Sequence, residues 1–244
     1  MNDSSAPRFK HPFMTFAILL LITILAAVFA SLIQSDFGRV AVENVRFDTE
    51  TGRSVRAKLL YPARTPSGDP MDSQAGSRLL PGVVYIHGYQ NNRETSDPYA
   101  IELARRGFAV LEIDALGRGN SDNPGYLEDP DFDETFGGRA AITELKSLPM
   151  VDPGRVGVMG HSLGGEMAFT IAVTDPSISA VSFSGFGYRD PADTGIPRNM
   201  LMIFGKYDEY RKRMTGTRNF STDFMSAPQT LKVFPAADHC VNDC

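Results

Sequence analysis

The sequence has no tryptophan and only two cysteines, and both of these, Cys240 and Cys244, fall in the last five of its 244 residues. Cysteines placed there cannot staple a core, which excludes a disulfide-framed fold, and the short loop between them makes a mutual bridge geometrically demanding, so free thiols are expected. Histidine is scarce as well, with four in the chain, and no His or Cys cluster has zinc-ligand spacing, so no metal is expected. Cations do not dominate: 24 Lys and Arg against 29 Asp and Glu leave a net charge of −5. No basic cluster is interleaved with aromatics, which excludes nucleic acid as an expected partner. Internal repeats and low-complexity tracts are absent too.

What is present is an ordinary globular composition, 42% hydrophobic and 22% charged with 16 Phe, in a length that suits one domain of substantial core. A polar segment, residues 1–12, precedes one long apolar run. From Phe13 to Ile33 the chain reads FMTFAILLLITILAAVFASLI, 21 residues without a charge, about the ~20 needed to cross a bilayer as a helix. The run is long for the apolar part of a signal peptide, which points to an uncleaved transmembrane anchor. Val28-Phe29-Ala30 resembles a cleavage site, so a secreted form is the alternative. Arg8 and Lys10 before the span are nearly balanced by Arg39 and Arg46 after it. The expectation is a membrane contact through residues 13–33 and an extracytoplasmic domain over residues 40–244.

Val40 to Phe47 and Ser54 to Leu60 read as a hairpin around the polar turn Asp48 to Arg53. Pro62 to Gly82, rich in Pro, Ser, Gly and Asp, reads as a surface connection. Beyond it, apolar runs of strand length alternate with helical segments, the pattern of a parallel sheet covered by helices. The expected strands are Gly82–His87, Ala109–Asp114, Arg155–Met159, Ala180–Ser184, Met200–Phe204 and Thr230–Phe234, nearly continuous apolar runs suited to burial on both faces. Asp97 as N-cap and Pro98 at the first helical position open a helix over Tyr99 to Arg106, which Gly107 follows. Ala141, Leu145 and Leu148 mark a second, ended by Pro149, and Met167 and Ile171 a third. With the hairpin, this is a mostly parallel, eight-stranded type of α/β sheet with helices on both faces.

Gly160-His161-Ser162-Leu163-Gly164 fits G-x-S-x-G between a buried strand and a helix, the context in which a sharp turn exposes a nucleophilic serine. The glycines two before and two after the serine avoid collision. No P-loop or dinucleotide-binding pattern competes for the same residues. The helix amino terminus and the Leu163 backbone N–H are placed to stabilise a developing oxyanion. A serine hydroxyl near neutral pH needs a histidine base oriented by an acid. His11 precedes the span, His161 lies inside the turn and His87 ends a core strand, which leaves His239 as the base. Asp208, in the Gly205-Lys206-Tyr207-Asp208 run after a strand, is the expected acid, with Asp190 and Glu209 as rivals and Asp238 adjoining the base. The order Ser162, Asp208, His239 suits this architecture.

These segments together resemble the α/β-hydrolase superfamily in its serine-hydrolase branch. The likeness covers residues 40–244 and rests on His87-Gly88, Asp114 to Ser121, Gly160 to Gly165, Gly205 to Asp208 and Asp238-His239. It implies that Tyr89, following His-Gly, supplies a second oxyanion N–H beside that of Leu163, and that an ester-like bond of an acyl or other small-molecule substrate is cleaved through an acyl-enzyme with no cofactor. A peptidase, thioesterase or acyltransferase uses the same triad, and an inactive membrane-tethered binding module is the alternative outside enzymes. Parts also resemble dienelactone-hydrolase-like and esterase families, which carry G-x-[SC]-x-G followed by Gly-Glu. Dienelactone hydrolases proper use cysteine at that turn, so Ser162 does not imply their specific activity. Gly185 to Asn199 is too short for a cap domain, so an open site is expected. The sequence stops five residues after His239, where the superfamily normally adds a helix. Either a longer protein continues from there or the base is held less firmly than usual. The acid-rich stretch Asp122 to Glu134 is expected to be a solvated loop at the site rim, and Arg211 to Arg213 an exposed helix face.

Overall fold

A computed structural model describes residues 11–73, 79–185, 197, 199–205, 207–208 and 229–234. Eight strands form a single sheet. They are β1 (Val40–Asp48), β2 (Ser54–Pro62), β3 (Leu80–Ile86), β4 (Ala109–Ile113), β5 (Val151–His161), β6 (Ala180–Ser184), β7 (Met200–Gly205) and β8 (Gln229–Phe234). Their spatial order is β1-β2-β4-β3-β5-β6-β7-β8. Strand β2 runs antiparallel to both its neighbours, and every pairing from β4 to β8 is parallel. Each parallel strand therefore delivers its carboxyl end to the same edge, where open α/β sheets carry their sites.

The helices divide between the two faces. Helix α2 (Asp97–Arg105) lays Ala100 and Ala104 on Val40, Leu60, Val83 and Val110. Helices α3 (Gly138–Ser147) and α4 (Leu163–Thr174) cover the other face, where Ile142, Leu145, Phe169 and Ile171 join the main core with Val84, Leu111, Val158 and Phe183. Phe169 and Phe183 meet edge to face at 6.0 Å, the arrangement that aromatic quadrupoles favour.

Three local expectations are corrected. Strand β5 begins at Val151, four residues before the expected Arg155: Asp152-Pro153-Gly154 reads as a turn, but here it is a pairing irregularity between Leu80 and Gly82 of β3. Asp97 does not cap α2; Ser96 holds that position, and a short 3-10 turn at Arg93–Ser96, capped by Asn92, leads into the helix. The connection after β2 is not wholly superficial, because Met71 enters the core and Ser73 is buried with its hydroxyl 3.0 Å from Glu43.

Helix α1 (Pro12–Gln34) spans 23 residues with none buried. It is long and apolar enough to cross a membrane, and a signal sequence shares those properties.

Candidate active site

The β5–α4 turn carries Ser162 at φ 52°, ψ −117°, a conformation that non-glycine residues adopt only when their surroundings impose it. Hydrogen bonds on both sides impose it. The Ser162 N–H donates to the Ser184 carbonyl at 2.8 Å, and the Ser162 carbonyl accepts from Glu166 N–H at 3.1 Å. Space imposes it as well. A Cβ on Gly160 would lie 2.0 Å from the Gly164 carbonyl oxygen, and one on Gly164 would lie 2.0 Å from that of Ile86. No side chain fits at either position, so strand, turn and helix close to a distance only glycines allow. Leu163 is the first residue of α4, and its N–H is among the donors that a helix leaves unpaired within itself.

The loop after β3 lies against this turn: a Cβ built on Gly88 would come within 3.5 Å of Ser162 Cβ. Tyr89, the expected second oxyanion donor, is the next residue. Arg118 holds it, donating from Nε to the Tyr89 carbonyl and placing its guanidinium 4.2 Å from the ring centroid. Nothing in the sequence singles out Arg118, which is 29 residues away in what reads as a glycine-rich turn. Asp114 was legible only as part of a motif. Its carboxylate accepts from Arg93 N–H at 2.9 Å, Arg93 Nη1 at 3.1 Å and Asn120 N–H at 3.0 Å, tying the loops 88–93 and 114–121 together.

His87 is no base for Ser162. It is buried, its Nε2 accepts from Ala115 N–H at 3.1 Å and its Nδ1 faces the Gly88 carbonyl at 2.7 Å. Those partners fix the neutral tautomer with the proton on Nδ1. Burial pushes its pKa below the ordinary value, against the opposing pull of the Gly88 carbonyl and Asp114. The His161 Nδ1 lies 3.0 Å from Ser184 Oγ. His11 sits at the start of α1. Asp208 follows β7 and is fully buried. Ser162 and Asp208 therefore leave the same edge of the sheet two strands apart, roughly 10 Å at ~4.8 Å per strand. His239, five residues beyond the end of β8, lies outside the described residues, as do Asp190, Glu209, Asp238, Arg211, Lys212, Arg213 and both cysteines.

The acidic stretch after β4 is bonded within its own loop and to the turn between β1 and β2. Asp133 accepts from the N–H groups of Thr135 and Gly137, Asp129 accepts from Tyr126 N–H, and Asp131 pairs with Arg53. Among the described residues no group of three or more His, Cys, Asp or Glu is arranged to hold a metal.

Residues 83–238 match the model of the alpha/beta hydrolase family. The chain belongs to that family. Among its relatives, the putative esterase NocK of Nocardia uniformis subsp. tsuyamanensis is 34% identical over 142 residues, 54% of this chain and 41% of that protein. The alignments with the first curated relatives span only 23% to 41% of those proteins' lengths. Among solved structures, a dienelactone hydrolase-like promiscuous phosphotriesterase from metagenomic libraries superposes with a TM-score of 0.66 at 19% identity, over 84% of this chain and 85% of that one. An acetyl xylan esterase from Paenibacillus sp. R4 gives a TM-score of 0.61 at 16% identity, over 82% of this chain and 79% of that one. At such identities the superpositions speak for the fold alone.

Proposed function

We propose that this member of the family is a serine hydrolase that cleaves an ester-like acyl bond through an acyl-enzyme. The observation that carries the reading is Ser162, held at φ 52° between two glycines that admit no side chain and followed at once by a helix amino terminus. In this mechanism His239, oriented by Asp208, takes the Ser162 proton as Oγ attacks the substrate carbonyl carbon. The N–H groups of Leu163 and Tyr89 hold the oxyanion. His239 then protonates the departing alcohol. Water, deprotonated by the same histidine, attacks the acyl-enzyme, releasing the carboxylic acid and restoring the serine. No step calls for a metal or organic cofactor. That one relative is described as a putative esterase supports an ester; another is described as an uncharacterized peptidase, so an amide is the alternative bond. We further propose that α1 is an uncleaved anchor which tethers the domain outside the cytoplasm.

A fluorophosphonate probe tests the reading on the full chain in neutral detergent. Labelling that disappears in Ser162→Ala is expected. Folded wild-type protein that takes no label would mark the fold as a binding module without this chemistry.

A further inference from the structure

At the same edge of the sheet, on the face covered by α2, lies an open pocket. It measures about 450 Å3 and is lined by Asn44, Arg46, Arg56, Arg93 and Asn120, with Val45 and Ala57, and among the described residues by no carboxylate; Arg46 and Arg56 are exposed and Arg93 is half-buried. Arg46 of β1 and Arg56 of β2 are direct cross-strand partners, so their Cβ atoms stand ~5 Å apart on one face, where like charges oppose folding. Neighbouring cations are matched. Lys58, two residues along β2, bonds Glu94 at 2.8 Å and Glu112 at 2.9 Å and also reaches Asp97. Arg93 pairs with Asp114 at 3.1 Å and Glu94 at 3.4 Å. Arg46 and Arg56 are not matched among the described residues. Arg46 Nε donates to Ser54 Oγ at 2.6 Å, and Arg56 is bonded through its backbone N–H, to Ser121 Oγ.

We propose that this pocket binds the phosphate group of a small phosphorylated molecule, with Arg46 and Arg56 as its principal ligands and Arg93, Asn44 and Asn120 around them. Two adjacent guanidinium forks suit a tetrahedral oxyanion carrying more than one negative charge, whereas a single carboxylate leaves one cation uncompensated. The pocket is larger than a phosphate, so the group arrives on a larger organic body. Position separates a soluble ligand from a membrane headgroup. Helix α1 leads into β1 at Val40, and Arg46 is six residues further on, roughly 20 Å at ~3.3 Å per residue, towards the edge that bears Ser162. The loop 88–93 contributes Arg93 here and lies against Ser162 at Gly88, and the loop 114–121, which contributes Asn120, is tied to it through Asp114.

The test is calorimetric titration of the full chain in neutral-lipid nanodiscs with pyrophosphate, against sodium chloride at matched ionic strength. Saturable binding is expected, weakened roughly tenfold or more by Arg46→Gln or Arg56→Gln and lost in the double variant. Thermal unfolding of the variants at or above the wild-type midpoint, as relief of the like-charge pair implies, separates this loss from misfolding. Because the readout is binding, it stands apart from whether Ser162 is reactive. A wild-type titration no different from chloride, or a double variant that binds as tightly as wild type, overturns the proposal. Repeating the titration with phosphatidic acid in the discs distinguishes the sources: an unchanged affinity supports a soluble ligand, and competition by the lipid overturns that assignment in favour of a headgroup.

Discussion

Ser162 holds a backbone conformation that costs on the order of 1–3 kcal/mol, and the surrounding residues show how it persists. Its N–H and carbonyl are both bonded, at 2.8 and 3.1 Å, and the bare Cα atoms of Gly160 and Gly164 admit the backbone contacts that hold the turn. Asp208 presents the complementary case, a carboxyl group with no solvent exposure at the end of β7. A buried acid there is suited to orienting a histidine and to stabilising the imidazolium that forms during acyl transfer. Asp208→Ala should therefore lower turnover of p-nitrophenyl acetate by at least roughly a hundredfold while Ser162 remains chemically intact. Near-wild-type turnover in that variant, with a loss in Asp190→Ala, reassigns the acid.

At the scale of elements, the junction of β2, β4 and α2 is built around charge. Lys58, Glu94, Asp97 and Glu112 gather where the sheet meets the first turn of the helix, with Tyr85 and Tyr99 stacked at 5.6 Å. Burial opposes the Lys58 charge, yet the neighbouring Glu112 and the hydrogen bonds that Lys58 donates to Asp97, Glu94 and Glu112 raise its pKa and keep it an ammonium. Burial and the hydrogen bond with Asp97 push Glu112 up to about 9, against the pull of Lys58. The unfolded chain releases this proton near the ordinary glutamate value of ~4.3, so between there and about pH 9 the native state binds a proton that the unfolded state has lost. Stability from this group is present at low pH, falls as pH rises through that window and is level above it. Urea unfolding of Glu112→Gln from pH 5 to 9 should show a shallower decline than wild type. Equal slopes would remove Glu112 as the source.

At the scale of the whole molecule, an exposed apolar helix precedes a domain whose Ser162 turn lies at the carboxyl edge of its sheet. If α1 is an anchor, protein recovered from carbonate-washed membranes retains Phe13 to Ile33 on intact-mass measurement. A mature amino terminus just after Ala30 would instead identify a cleaved signal. An apolar helix of membrane-spanning length was legible because bilayer thickness sets a length that 21 uncharged residues satisfy,. The strands β3 to β8 were legible for a similar reason, since burial on both faces leaves nearly continuous apolar runs. Strand β5 starts before the expected Arg155 because a skipped pairing between Leu80 and Gly82 of β3 accommodates Pro153 and Gly154. Asp97 was misread because a first-turn acid suits a cap, and only packing shows that its carboxylate meets Lys58.

Local pattern determined the fold class, the serine turn and the order of Ser162, Asp208 and His239, because each rests on periodicity, on backbone freedom at two glycines, or on position along the chain. Tertiary structure decided what depends on residues distant in sequence. It placed Arg118 over Tyr89 and Asp114 between two loops. It also set Arg46 opposite Arg56. A charge in a sequence carries no record of its partner; only the register of β1 against β2, and the absence of a carboxylate among the described residues that line their pocket, distinguishes these two arginines from the matched cations beside them.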